Sequence, residues 1–227
     1  MDFNIRWVGT PNYREGRRGY KPIAIVSHQT AGRYPGCKSW MMNPKAQASA
    51  HYLINRAGEI FQLVKEKDTA WHVGIANKPT WTLYNGINPN YYTLGIEHEC
   101  YPDVGGDGNL TELQYQATLF LHKQLIEKYN IPIDREHLIG HYQIDSVNRS
   151  NCPGKNFPWS RLISDLKGNK NNGDDNMLQA WQKELGEKAL NELNAKGLVV
   201  NPEDWKKTLE DSVPQWLFFS MLSRLAK

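Results

Sequence analysis

Short apolar blocks broken by polar turns run through most of the chain, and longer helical spacing takes over towards its end. Ile23-Ala24-Ile25-Val26-Ser27-His28 is a nearly continuous apolar run closed by a histidine, which predicts a buried strand. Ala50 to Asn55 and Glu59 to Val64 flank Arg56-Ala57-Gly58, the pattern of a hairpin. Thr93 to Cys100 predicts another strand. Its alternation puts Thr93, Gly95, Glu97 and Glu99 on one face and Leu94, Ile96, His98 and Cys100 on the other. Thr111-x-x-Gln114 reads as a capping box opening a helix whose stripe is Leu113, Ala117, Phe120 (or Leu121) and Ile126, with Pro132 ending the region. Leu138-Ile139 leads into His141 as a short strand, and Pro158 to Leu166 reads as a closing helix. Strands interspersed with helices imply an α/β sheet with helices packed on it.

Residues 168–176, Gly-Asn-Lys-Asn-Asn-Gly-Asp-Asp-Asn, contain no apolar side chain and read as a linker. It separates a large domain, 1–167, from a small all-α one, 177–227. In the small domain Leu178, Trp181 and Leu185 share a face. Glu187 to Lys196 reads as a second helical segment stopped by Gly197. Asn201-Pro202 and Ser212-x-x-Gln215 with Pro214 each signal a helix start, and Trp216, Phe219 and Leu222 (or Met221) form a stripe after the latter. So small a core contributes only about 3–5 kcal/mol. The tail is therefore expected to dock, to self-associate, or to stand as a marginal bundle.

With 227 residues, 40% hydrophobic, 22% charged and a net charge of +3, the composition is that of a globular protein without the basic excess of a nucleic-acid binder. Arg14, Arg17, Arg18 and Lys21 form a loose cluster that reads as a solvated loop. No run reaches the roughly 18 apolar residues of a membrane span, and Met1 to Arg6 does not resemble a signal peptide. The expectation is synthesis in the cytoplasm, with any action outside the cell following release. Three cysteines do not make a disulfide framework and point to reduced thiols or a metal ligand. Cys100 reads as a small buried hydrophobe; Cys37 receives no role.

His28, His141 and Cys152 stand out as a nitrogen/sulfur set suited to zinc, three ligands that leave a fourth position open. Gly140 before His141, and Pro153-Gly154 after Cys152, are turn formers that let these side chains leave a sheet edge. Spacing alone leaves a shared metal undecided. Amide hydrolysis at such a centre needs a group to move the water proton. Glu97, on an otherwise apolar strand, is the candidate, with a salt-bridged structural glutamate as the other reading.

Five segments, taken in order, resemble the type 2 N-acetylmuramoyl-L-alanine amidases, which share a fold with peptidoglycan recognition proteins. They are Ser27-His28-Gln29-Thr30-Ala31-Gly32, Ser49-Ala50-His51-Tyr52-Leu53-Ile54, Thr69-Ala70-Trp71-His72-Val73-Gly74, Gly95-Ile96-Glu97, and Gly140-His141 with Asn151-Cys152-Pro153-Gly154. The likeness covers about residues 20–167. It implies a central mixed β-sheet flanked by helices, Zn2+ held by His28, His141 and Cys152, Glu97 as general base, and Trp71 and His72 lining the substrate groove. The implied reaction is cleavage of the amide between N-acetylmuramic acid and L-alanine in peptidoglycan. Ala50 stands where some branches carry a catalytic tyrosine, and His51 beside it reads as a packing residue. Ser150 stands where many relatives carry a lysine that stabilises the oxyanion, leaving Arg149 or Lys155 as substitutes. The tail resembles the C-terminal modules of phage endolysins for Gram-positive hosts, which implies a wall-targeting unit.

Two rivals remain at the level of sequence. One is a peptidoglycan-binding protein on the same fold without catalysis, a class that typically lacks the cysteine ligand. The other is a cysteine hydrolase using Cys152 with His141, for which Pro153-Gly154 is a poor setting.

Overall fold

The computed structural model describes residues 3–100, 106–168 and 180–207. The chain divides into two units, Met1–Asn169 and Lys170–Lys227.

The first unit is built on a six-stranded sheet. Its strands are β1 (Ile5–Trp7), β3 (Ala24–Gln29), β4 (Tyr52–Ile54), β5 (Ile60–Gln62), β7 (Thr93–His98) and β8 (Leu138–Gly140), in the order β1-β5-β4-β7-β3-β8. Only β4 and β5 pair antiparallel, as the hairpin predicts; the other neighbours are parallel. A separate two-stranded ribbon joins β2 (Tyr13–Arg14) to β6 (Thr69–Ala70). The strand β3 is buried from Ala24 to His28, as a central parallel strand covered on both faces must be. The hairpin turns at Gly58, whose φ of +80° is left-handed; a side chain there would also meet the Leu113 carbonyl oxygen at 2.7 Å.

One face of the sheet carries Ile25, Ile54, Leu94 and Ile96 against Ala117, Leu121 and Leu125 of helix α2 (Glu112–Tyr129). Trp159, Ile163 and Leu166 of α3 (Trp159–Leu166) close the same layer. Thr111 caps α2 by accepting a hydrogen bond from the Gln114 N–H at 3.1 Å. The reciprocal half of the capping box is absent. The Gln114 amide instead donates to the carbonyls of Ile54 and Glu99 at 3.0 and 3.1 Å, stitching the helix to two strands. The buried stripe is accordingly shifted from the expected one, to Gln114, Tyr115, Ala117, Thr118, Leu121, His122 and Leu125.

The opposite face carries Ala24, Val26 and Ile139 against Val73, Trp81, Tyr92 and Ile144 from loops. A short helix, α1 (Gly36–Met42), adds Cys37 and Met41 to a neighbouring cluster with Leu53 and Phe61.

In the second unit, α4 (Ala180–Ala195) is continuous where two segments were expected. A glycine inside a helix, here Gly186, costs only about 1 kcal/mol and does not break it. Gly197 ends the helix as predicted, with φ +69°. The Leu198 N–H reaches the Leu193 carbonyl and the Gly197 N–H the Asn194 carbonyl, both at 2.9 Å, the paired bonds of a Schellman end. Asn201 precedes α5 (Pro202–Lys206) but adopts φ +54° and makes no side-chain cap. The helix start expected at Ser212 to Gln215 and the stripe at Trp216, Phe219 and Leu222 lie outside the described residues. No helix among the described residues is long and apolar enough to cross a membrane.

Candidate active site

The end of β3 delivers His28, and the end of β8 delivers His141 at the start of a 3-10 turn. Gly140, between β8 and that turn, has no room for a side chain: a Cβ would lie 2.6 Å from the Tyr142 ring and 2.8 Å from Pro153. Cys152 closes a turn in which its N–H bonds to the Arg149 carbonyl at 2.9 Å. Its own carbonyl accepts from the Tyr142 N–H at 3.0 Å, which ties the cysteine loop to the His141 turn. The Gln29 N–H points at Cys152 Sγ at 3.4 Å.

These elements bring three donor atoms together. His28 Nδ1 lies 3.0 Å from His141 Nδ1 and 3.9 Å from Cys152 Sγ. One donor atom from each of the three residues lies within 4.8 Å of the others. His141 Nε2 donates to the Val73 carbonyl at 3.1 Å, so its Nδ1 turns a lone pair inward. Burial, reinforced by the neighbouring imidazoles, holds His28 well below the ordinary histidine range, and burial also lowers His141. Both are thereby kept in the neutral form that binds metal. Burial, then the Glu97 carboxylate, pushes the Cys152 thiol up to about 12. A divalent cation on this set reverses that last effect by stabilising the thiolate. Two neutral imidazoles and one sulfur converging on a single point fit zinc in chemistry and number.

Glu97 stands beside this set. It is the Cα partner of His28 across the parallel β3/β7 pair, so both project from the same face of the sheet. Its Oε2 is buried without a hydrogen-bond partner. Burial pushes its pKa up to about 7, against the opposing pull of Arg149.

Residues 18–155 match the family described as N-acetylmuramoyl-L-alanine amidase. The chain belongs to that family. Among similar proteins, N-acetylmuramoyl-L-alanine amidase A of Achromobacter lyticus is 32% identical over 166 residues, 66% of this chain and 85% of the relative. The 1,6-anhydro-N-acetylmuramyl-L-alanine amidase AmpD of Haemophilus influenzae is 33% identical over 122 residues, 53% of this chain and 60% of that protein. A crystal structure of a selenomethionine AmpD derivative superposes with a TM-score of 0.56 at 26% identity, covering 72% of this chain and 98% of that one.

His72, which the amidase resemblance places along the substrate groove, packs in the structure against His28. It is only 7% exposed, and both ring nitrogens are engaged inside the protein, Nδ1 with His28 Nε2 at 3.0 Å and Nε2 with Thr93 Oγ1 at 3.1 Å. It sits behind a donor residue rather than in an open groove. Trp71 is 36% exposed and borders a cleft of about 300 Å3 with Tyr13, Arg14, Asn88 and Tyr91.

The two cations that could stand in for a lysine at position 150 are now distinguished. Lys155 pairs with Asp107 at 3.1 Å. Arg149 is exposed, sits in the cysteine turn, and its charge acts on His28, Glu97, His141 and Cys152.

Arg17 corrects the expectation of a solvated basic loop. It is buried, with its guanidinium donating to the carbonyls of Glu66, Tyr91 and Thr93 at 2.5, 3.1 and 3.1 Å and contacting His51 Nε2 at 2.6 Å. Five fixed donors let this side chain satisfy a cluster of carbonyls that nothing in a one-dimensional pattern reveals. His51 is buried as a packing residue, accepting from the Gly95 N–H at 3.0 Å.

Proposed function

We propose that this chain hydrolyses the amide between N-acetylmuramic acid and L-alanine in peptidoglycan, using zinc held by His28, His141 and Cys152. The observation that carries the reading is the convergence of those donors, within 4.8 Å, next to a carboxylate with a buried, unpartnered oxygen in a chain of the amidase family. Zinc at this position supplies Lewis acidity, polarising the amide carbonyl and easing deprotonation of water.

The protein's own groups do the rest. Glu97 takes a proton from the attacking water and returns it to the leaving nitrogen of L-alanine. A carboxyl whose pKa is pushed up to about 7 is poised for both transfers near neutral pH. Arg149 supplies positive charge at the rim, where the carbonyl oxygen gains negative charge. Trp71 offers an aromatic wall to a cleft it lines with Tyr13, Arg14 and Tyr91.

The cysteine-hydrolase reading is disfavoured. Burial raises the Cys152 thiol to about 12, the reverse of an activated nucleophile. The imidazole nitrogen 3.9 Å from its sulfur belongs to His28. The binding-only reading leaves the half-buried Glu97 carboxylate, with its unpartnered Oε2, without a task.

The decisive experiment is mass spectrometry of digested wall. A new L-alanine amino terminus and an intact lactyl carboxyl name the bond; cleavage at a glycosidic or peptide bond instead would overturn the assignment. Chelation should abolish the activity and zinc should restore it. We further propose that the enzyme is a phage endolysin whose tail, 177–227, targets the wall or self-associates. This rests on domain order and the tryptophan-rich helical pattern of the tail.

A further inference from the structure

His28 can bind a metal through Nδ1 only if its proton resides on Nε2, and the surroundings decide where it resides. Thr93 has one hydroxyl proton, and it points to the Pro89 carbonyl at 2.7 Å. Towards His72, 3.1 Å away, the Thr93 oxygen can therefore only accept, which places the His72 proton on Nε2. His72 Nδ1 then carries a lone pair facing His28 Nε2 at 3.0 Å, so His28 donates from Nε2. Its Nδ1 lone pair is left facing His141 Nδ1 at 3.0 Å.

A second observation shows that the structure makes room for this chain of bonds. Gly95 lies on β7 beneath the His72 ring. A Cβ there would meet His72 Cγ at 2.5 Å and Nδ1 at 2.6 Å. The φ of Gly95 is not in the left-handed region, so close approach of the ring, not backbone conformation, requires glycine. The His51 ring, which accepts from the Gly95 N–H at 3.0 Å, lies 5.6 Å from the His72 ring between centroids.

We infer that Thr93, His72 and Gly95 form a positioning unit that sets the tautomer and ring orientation of His28 for metal binding, with His72 as the residue that acts directly on it. The inference rests on the metal centre proposed above. It assigns His72 a role behind the metal ligand in place of substrate contact. Partners of this kind typically change metal affinity about 10–100-fold.

The test is zinc affinity of the full-length protein, measured by competition with a chelating dye, together with nitrogen chemical shifts of the metal-free imidazoles. Thr93→Val, His72→Phe and Gly95→Ala should each weaken zinc binding by about 10–100-fold. Thr93→Ser retains the hydroxyl, and His72→Gln can accept from His28 and donate to Thr93, so both should bind close to the parent. A merely structural role would not sort the variants this way. The shifts should show His28 protonated at Nε2 in the parent and a mixture of tautomers in Thr93→Val. Equal zinc affinity in parent and Thr93→Val, or a parent His28 protonated at Nδ1, would overturn the inference. A parent that binds no zinc would sink the metal centre instead, and the shifts would still report on the tautomer.

Discussion

His28 and Glu97 are register partners on adjacent parallel strands, so the proposed metal ligand and the proposed proton-transfer group leave the sheet side by side on the same face. Their separation is fixed by the strand spacing of about 4.8 Å. The two functions nevertheless reside on different residues. Glu97→Gln should therefore retain zinc stoichiometrically while losing turnover by about 100-fold or more. Metal analysis alongside kcat on a soluble muramoyl-peptide checks this; unchanged kcat removes Glu97 from the mechanism.

Buried titratable groups make the metal-free protein sensitive to pH in two opposite directions. His28, His51 and His72 are held well below the ordinary 6.5, with His98 at about 3 and His122 at about 4, in each case chiefly by burial. The unfolded chain takes up these protons first. Stability is thus lost as pH falls below about 6.5, at up to about 1.4 kcal/mol per pH unit for each histidine. Glu97 has the opposite sign. Its folded pKa, about 7, lies above the ordinary 4.5, so its favourable contribution is present below 4.5 and is lost as pH rises through 7. Metal-free Glu97→Gln should accordingly be more stable than the parent at pH 8 by about 3 kcal/mol, and equal to it at pH 4. Urea unfolding at both pH values tests the pair, and a pH-independent difference would refute the burial argument for Glu97.

Much of this was legible in sequence because the site lies where elements change. His28 ends an apolar run, His141 follows a strand and a glycine, and the alternation along 93–100 correctly divides Glu97 from His98, which faces Thr118 of α2. What escaped were interactions set by three-dimensional proximity. Arg17 reads as solvated because, apart from the His51 ring, its partners are the backbone carbonyls of Glu66, Asn90, Tyr91 and Thr93, which leave no side-chain signature. The role of Thr93 depends on a bond to His72, with nothing in the spacing to connect them. Strand β1 was missed because only Ile5 of its three residues is even partly buried, which leaves little hydrophobic pattern to detect.

Arg149 is an exposed cation in the cysteine turn, and removing it should cost chemistry rather than folding. Arg149→Ala should lower kcat by about 100-fold, the scale of a lost oxyanion donor. Its thermal midpoint should stay near the parent's, since exposed substitutions usually change stability by about 0.5 kcal/mol or less. Arg149→Lys should recover most of the rate. A rise in KM with kcat unchanged would reassign Arg149 to binding a substrate carboxylate, and Lys155→Ala, whose charge is already paired with Asp107, serves as the control.

The division at Asn169 makes the tail separable in principle. All residues of the metal set, Glu97 and the sheet that aligns them fall in the first unit, so removing 170–227 should leave zinc binding and kcat on soluble fragments unchanged. Whole wall is a different substrate. It is an extended surface, and a second contact raises the local concentration of the catalytic unit on it without altering the chemistry. The truncated protein should therefore clear whole walls more slowly, by about tenfold or more at low enzyme concentration, and the deficit should shrink as enzyme is raised. Equal clearing rates at every concentration would show that the tail does not target. A truncated protein that fails to fold would show instead that the tail stabilises the catalytic unit, and circular dichroism alongside the clearing assay tells these outcomes apart.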